Sequence, residues 1–194
     1  MTPAVLEGRL LPKEKLLWSG RPAQGILFLP RDMMLVPFSL LWGGFAIFWE
    51  TQALSSGKAP GFFAVFGAAF VLVGLFLIFG RFLFDAWLRG NTHYALTDQR
   101  IIIQRSAPWA DFKAVDLRQV PETSLSGNSG GRGTVRFGPQ AQVWAGSSRS
   151  GFAGWIPSLD PTPQFLAIND ARRVFEMVEE HRREGDARGQ VRAR

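Results

Sequence analysis

The chain has no cysteine, two histidines and one tyrosine in 194 residues. Without thiols it can build no disulfide framework, thiolate zinc site, iron–sulfur cluster or cysteine nucleophile, and its redox compartment stays undetermined. His93 and His181 fall in different predicted elements, with no carboxylate pair at helical spacing from either, so no metal constellation assembles. His93 reads as a strand residue and His181 as a solvated helix residue. Charge is also limited: 22 Lys+Arg against 16 Asp+Glu leave +6. From residue 81 onward there are 16 basic and 12 acidic residues, and five of the basic ones are Arg182, Arg183, Arg188, Arg192 and Arg194. The rest is nearly balanced, which argues against nucleic acid; attraction to an anionic leaflet, about 1 kcal/mol per basic residue near the surface, accounts for the surplus.

Apolar residues, in contrast, make up 46%, with 17 Phe and 7 Trp. They concentrate in two blocks without a charge, residues 33–49 between Asp32 and Glu50, and residues 59–80 between Lys58 and Arg81. As helices these would be about 26 and 33 Å long against a hydrocarbon core of roughly 30 Å. Thirteen Leu, Ile, Val or Phe in the second block favour insertion by roughly 5 kcal/mol. Neither block has an amphipathic period, and Ser39 is the one hydroxyl in them, so neither presents the polar stripe of a soluble helical hairpin. Pro37 is tolerated near a helix start. A cleavable signal sequence would need a charged leader of 32 residues and would be followed at once by a second span.

Five basic residues precede the first span (Arg9, Lys13, Lys15, Arg21, Arg31), Lys58 alone occupies the loop, and Arg81, Arg89 and Arg100 follow the second. The asymmetry predicts a multi-pass protein of the cell (cytoplasmic, inner) membrane with both termini cytoplasmic. Arg31, Trp49, Arg81, Trp87 and Arg89 are the expected membrane-interface residues. The predicted organisation is a cytoplasmic leader (1–32), a transmembrane hairpin (33–80), a cytoplasmic domain with its connector (81–184) and a disordered basic tail (185–194). The leader is too short and too rich in proline to fold alone and should lie along the membrane or on the other domain.

In the domain the apolar period changes to two. His93–Leu96 and Arg100–Arg105 read as strands of a hairpin turned by Thr97-Asp98-Gln99, and residues 112–117, 134–137, 142–145 and 164–168 as further strands. A Gly/Ser loop is expected over 124–133. Short strands with turns between them suggest an antiparallel barrel or sandwich. Asn169 is the expected N-cap of a final helix, with Asp170 in its first turn, Ala171, Val174, Phe175 and Val178 on its apolar face and Gly185 as its end. Gly127-Asn128-Ser129-Gly130-Gly131-Arg132-Gly133 precedes a strand and lacks the Lys-Ser/Thr of a phosphate-binding loop. Ser147, Ser148 and Ser150, near Arg149, have no nucleophile elbow.

The segment Leu11-Pro12-Lys13-Glu14-Lys15-Leu16-Leu17-Trp18-Ser19-Gly20-Arg21-Pro22, the two apolar blocks and Tyr94-Ala95-Leu96-Thr97-Asp98-Gln99-Arg100-Ile101, in that order, resemble the membrane-anchored bacterial pleckstrin-homology (PH) domain proteins. Lys13 stands where many relatives have Gly. The resemblance implies an α+β membrane protein: a two-helix transmembrane hairpin followed by a PH-like bent antiparallel β-sheet or barrel of seven strands, capped by one C-terminal helix. It implies an interaction scaffold without catalytic activity or cofactor.

The residues themselves give Thr97 and Asp98 a turn-setting role and give Arg100 a carboxylate or carbonyl partner on a neighbouring strand. Arg100, Arg105 and Lys113 are the candidate ligand-binding residues. The expected function is a membrane-anchored binding module recruiting a protein or peptide, with a lipid or membrane-stress sensor binding anionic headgroups as the alternative. The expected partners are the bilayer and an unidentified protein or peptide, and self-association through small residues such as Ala64 and Ala68 is compatible with the spans.

Overall fold

A computed structural model describes residues 8–57, 61–127, 132–138 and 155–192, with side chains through residue 183. The chain divides into two compact units, Gly25–Ala86 and a second one that joins Met1–Gln24 to Trp87–Arg194. The apolar hairpin therefore interrupts another folding unit in sequence.

Helix α1 runs Asp32–Ser55 and α2 Gly61–Leu75; a π-helical turn, Phe76–Gly80, leads into α3, Arg81–Gly90. Both apolar blocks lie on helices long and apolar enough to cross a membrane, and only 22% and 17% of their most apolar windows are buried. Leu41, Phe62, Val65 and Leu72 are each at least two-thirds exposed, so the helices carry a large exposed apolar surface. The buried residues make one narrow stripe: Asp32, Ser39, Gly43 and Ala46 on α1 face Gly67, Gly74 and Leu77. A Cβ on Gly74 would lie 2.8 Å from the Gly43 Cα, and one on Gly67 would overlap the Glu50 carboxylate, so glycine lets the helices approach backbone to backbone. Ser39 satisfies its hydroxyl on the Leu35 carbonyl at 2.6 Å. At the other end Arg81 Nη1 meets Asp32 Oδ1 at 2.8 Å, and Arg81 Nε donates to the Leu77 carbonyl at 2.9 Å.

The described residues of the second unit hold seven strands. β1 (Leu16–Gly20), β2 (Thr92–Thr97), β3 (Arg100–Arg105) and β4 (Asp111–Asp116) form one antiparallel sheet in that order. β5 (Thr123–Gly127), β6 (Arg132–Phe137) and β7 (Gln164–Asn169) form another, followed by α4, Ala171–Arg192. Neither sheet closes. The predicted hairpin is present, with Leu96 opposite Ile101 and Tyr94 opposite Ile103. These side chains meet Val135, Phe137, Phe165, Val174 and Val178 in the core. Phe165 is its centre, ringed by Tyr94, Phe137 and Trp18 at centroid distances of 4.8, 5.0 and 5.4 Å. Tyr94 also crosses between the sheets, its hydroxyl accepting the Leu166 N–H at 3.3 Å.

Four expectations are sharpened or corrected. The leader lies on the domain, one of its two expected places, and goes further by supplying a strand to it: Leu16–Gly20 pairs with β2 as an edge strand, and Leu10 and Leu16 cover Ala95 and Ile102 on the outer face of the sheet. That cover is why all six β2 residues are buried, where an uncovered sheet would alternate. Second, part of the expected Gly/Ser loop is strand β5, held by its ladder to β6. Third, Asn169 ends β7, and the cap position belongs to Asp170, which has φ of 59° and whose carbonyl accepts the Val174 N–H. Fourth, the expected disordered tail is helical as far as Arg192: α4 continues past Gly185, since one glycine costs only about 1 kcal/mol among good helix formers. The expected strand at 142–145 lies outside the described residues.

Candidate functional site

Two clusters involve the candidate cations. The first ties the leader to the β2–β3 turn. Leu11-Pro12-Lys13-Glu14 forms a tight turn in which the Glu14 N–H donates to the Leu11 carbonyl at 3.0 Å and Lys13 has φ of 70°. Pro followed by a positive-φ residue is the type II pattern, which favours glycine at the second position; Lys13 occupies that position in spite of its Cβ. The turn presents the Glu14 carboxylate to four donors: Leu11 N–H at 2.6 Å, Thr97 Oγ1 at 2.7 Å, and Arg100 Nε and Nη2 at 2.8 and 2.9 Å. Thr97 Oγ1 also accepts from the Arg100 N–H at 3.0 Å, and Asp98 exchanges bonds with the Lys15 backbone at 2.9 and 3.1 Å. Burial alone would raise the Glu14 pKa, but the Arg100 hydrogen bond, the Leu11 and Thr97 donors and the Arg100 charge outweigh it and lower it. The same bond raises the Arg100 pKa. Arg100 thus has the carboxylate partner its position suggested, though on the leader, and its remaining reach goes to the Arg9 carbonyl at 2.8 Å.

The second cluster is a cleft of about 50 Å³. One wall consists of Thr92, Tyr94, Ile103, Arg105, Asp111 and Lys113 from β2–β4; the other comes from the 3₁₀ turn Pro157–Leu159 and the segment leading into β7, with Ser158, Asp160, Thr162 and Gln164. Arg105 and Lys113 line it together, while Arg100 lies at the far end of its strand. The two are brought together by register: Arg105 is opposite Asp111, and Ile103 is opposite Lys113. Their shared counter-ion is Asp111 Oδ2, at 3.2 Å from Arg105 Nη2 and 3.9 Å from Lys113 Nζ. Arg105 Nη1 reaches the Ser158 carbonyl at 3.4 Å, and its buried Nε–H meets no acceptor among the described residues. Opposite, Arg136 binds Asp160 at 3.4 Å and Gln164 Oε1 at 3.1 Å, and Gln164 donates to the Pro157 carbonyl at 3.3 Å. A water needs about 10–15 Å³ of such space and a drug-sized ligand several hundred, so the cleft has room for a planar carboxylate or a few waters. Its loosely held cations and unmet Nε–H suit an anionic group.

The expected membrane-interface residues divide. Trp87 is 47% exposed, while Arg81 and Arg89 are only 2% and 1% exposed. Arg81 is committed to Asp32, and Arg89 donates to the Ala23 carbonyl while its own carbonyl accepts from Gln24 at 3.3 Å. Trp49 packs on Phe63 at 6.4 Å. Arg31 precedes α1. The sequence reading overlooked Glu14, Asp160 and Gln164. Glu14 carries a local signal, the Leu-Pro-x-Glu turn; the other two are placed only by the pairing of distant segments.

Comparison with family models, with curated proteins and with solved structures finds no match.

Proposed function

We propose that the chain is a non-catalytic, membrane-anchored binding module of PH-like type, whose cytoplasmic domain recruits an anionic segment of a protein partner into the Arg105–Lys113 cleft close to the bilayer. The observation that carries the reading is the pairing of β1 with β2 across the apolar hairpin. A strand before the hairpin and a strand after it cannot share a ladder unless both ends of the hairpin return to one side of the membrane, which requires an even number of spans. The exposed apolar surface of both helices supports insertion, and the excess of basic residues before the first span assigns the paired strands to the cytoplasm. Short antiparallel strands followed by one C-terminal helix are compatible with the PH-like reading. The headgroup-sensor alternative gains less, because Arg81 and Arg89 spend their guanidinium groups inside the protein.

Orientation is tested with single cysteines at Ser55 and Ser126 and an impermeant thiol reagent on whole cells. Labelling at Ser55 alone is expected, and labelling at Ser126 alone would overturn it. Binding is tested by placing a photo-crosslinking amino acid at Thr162, which lines the cleft without supplying a charge, or, as a control, at exposed Arg172 on α4 in the full chain in native membranes. A discrete adduct at residue 162, lost in Arg105→Gln and missing at residue 172, is the expected result; adducts at residue 172 with none at residue 162 refute the cleft.

A further inference from the structure

The β3–β4 turn carries an exposed indole, and strand register fixes which end of the sheet it occupies. Thr92 is opposite Arg105, and Arg105 is opposite Asp111, so residues 106–110 leave the sheet at the end where β2 begins. β2 begins two residues after α3 ends at Gly90. The Ser106 N–H donates to the Asn91 carbonyl at 2.9 Å, fastening the turn to that junction. β1 finishes at the same end, with Gly20 opposite Tyr94 before the chain departs for the hairpin. Trp109 in this turn is 62% exposed. One helical turn before Asn91, Trp87 is also exposed, and the Asn91 side chain donates to its carbonyl at 2.8 Å.

The composition of the turn fits a lipid interface. Ser106-Ala107-Pro108-Trp109-Ala110 contains no charge, and Pro108 removes one backbone N–H that would otherwise need a partner outside water. Trp favours the headgroup level, where its ring is shielded and its N–H stays hydrated. Lys113, whose side chain is 42% exposed, stands beside the turn with a charge suited to an anionic leaflet. We propose that the β3–β4 turn, led by Trp109, inserts into the headgroup region of the leaflet from which α3 emerges, docking the domain on the bilayer through two indoles, Trp109 and Trp87. This inference rests on the membrane-anchored reading above. It adds that the domain is held down at a second point.

The test uses the full chain, which has no native cysteine, reconstituted in phosphatidylcholine/phosphatidylglycerol vesicles with or without acyl-brominated lipid. An environment-sensitive fluorophore is attached at Ala110→Cys, at Val65→Cys on the exposed face of α2, or at Ser126→Cys on β5. Quenching by brominated lipid at 65 and 110 but not at 126, with the signal at 110 lost on adding Trp109→Ser, is expected. Quenching at 65 but not at 110 overturns the docked turn and leaves the membrane anchor standing. Quenching at neither removes both. A signal at 110 that survives Trp109→Ser refutes the role of the indole, and because Trp109 lies outside the core this substitution leaves the fold intact for the comparison.

Discussion

Replacing Glu14 by Gln tests whether the leader is part of the domain. The side chain of Glu14 is fully buried and that of Arg100 is 17% exposed, and the carboxylate accepts four hydrogen bonds. Gln keeps the shape but turns an NH₂ toward donors, so at least one of Leu11 N–H, Thr97 Oγ1 and Arg100 Nη2 loses its acceptor. Charge-assisted bonds contribute about 1.5–3 kcal/mol each, and breaking one side of a buried pair costs about 3–5 kcal/mol. Partial hydration of Arg100 reduces this, leaving about 3 kcal/mol, or a melting temperature lower by roughly 10 °C for a domain of this size. The pH dependence follows from the lowered Glu14 pKa. The folded state holds the proton less tightly than the unfolded state, so the contribution is complete above the ordinary carboxyl value near 4.5 and is lost as pH falls through the lowered folded value. Thermal melts of the full chain in lipid nanodiscs, with amide exchange in residues 16–20 as the local probe, should therefore show a gap between wild type and Glu14→Gln that is constant from neutral pH to about pH 5 and narrows below. A double-mutant cycle with Arg100→Gln should return a coupling of at least about 1.5 kcal/mol. An unchanged melting temperature, or a gap that persists undiminished well below pH 4, would show that the leader is not held by this pair. Lys13→Gly should act in the opposite direction, adding about 1 kcal/mol by relieving the positive φ.

Three more outcomes are expected. Phe165→Ala should cost about 3–5 kcal/mol, because the ring is completely buried among Trp18, Tyr94 and Phe137; Phe175→Ala should cost clearly less, since Phe175 packs on the core from its partly exposed rim, and equal losses in denaturant titrations would refute that ranking. Gly74→Val should lower the detergent-denaturation midpoint of the hairpin while Gly44→Val leaves it unchanged, because a Cβ at 74 strikes the Gly43 backbone and one at 44 meets nothing within 4 Å. His93 has its pKa lowered by burial and then by the Arg21 charge, so protonation opposes folding: the stability it allows is full above the unfolded value near 6.5 and declines as pH falls through the lowered folded value. His93→Gln should flatten the decline of melting temperature between pH 6.5 and 5, and an identical decline in the variant would exclude His93 as its source.

The two apolar helices were legible in the sequence because a long run of uniform apolarity is a property of contiguous residues. The β2–β3 hairpin and the α4 stripe were legible for a similar reason: period two in residues 93–105 and period 3.6 in residues 171–178 are local signals, and the Thr97 turn carries its own hydrogen-bonding side chains. Tertiary structure alone decided that Leu16–Gly20 is a strand. Five residues with little alternation have no strand signal of their own; they become one because the β2 edge, more than seventy residues later, offers unpaired backbone groups. Tertiary structure likewise decided the site. Arg105 and Lys113 could be named as cations from sequence, but their convergence on Asp111, opposite Asp160 and Gln164, depends on register and on how a second sheet is placed, and no periodicity encodes either. Arg81 and Arg89 show the same limit, since a charge beside an apolar run reads as facing outward until a buried Asp32 or the Ala23 carbonyl is found to claim it.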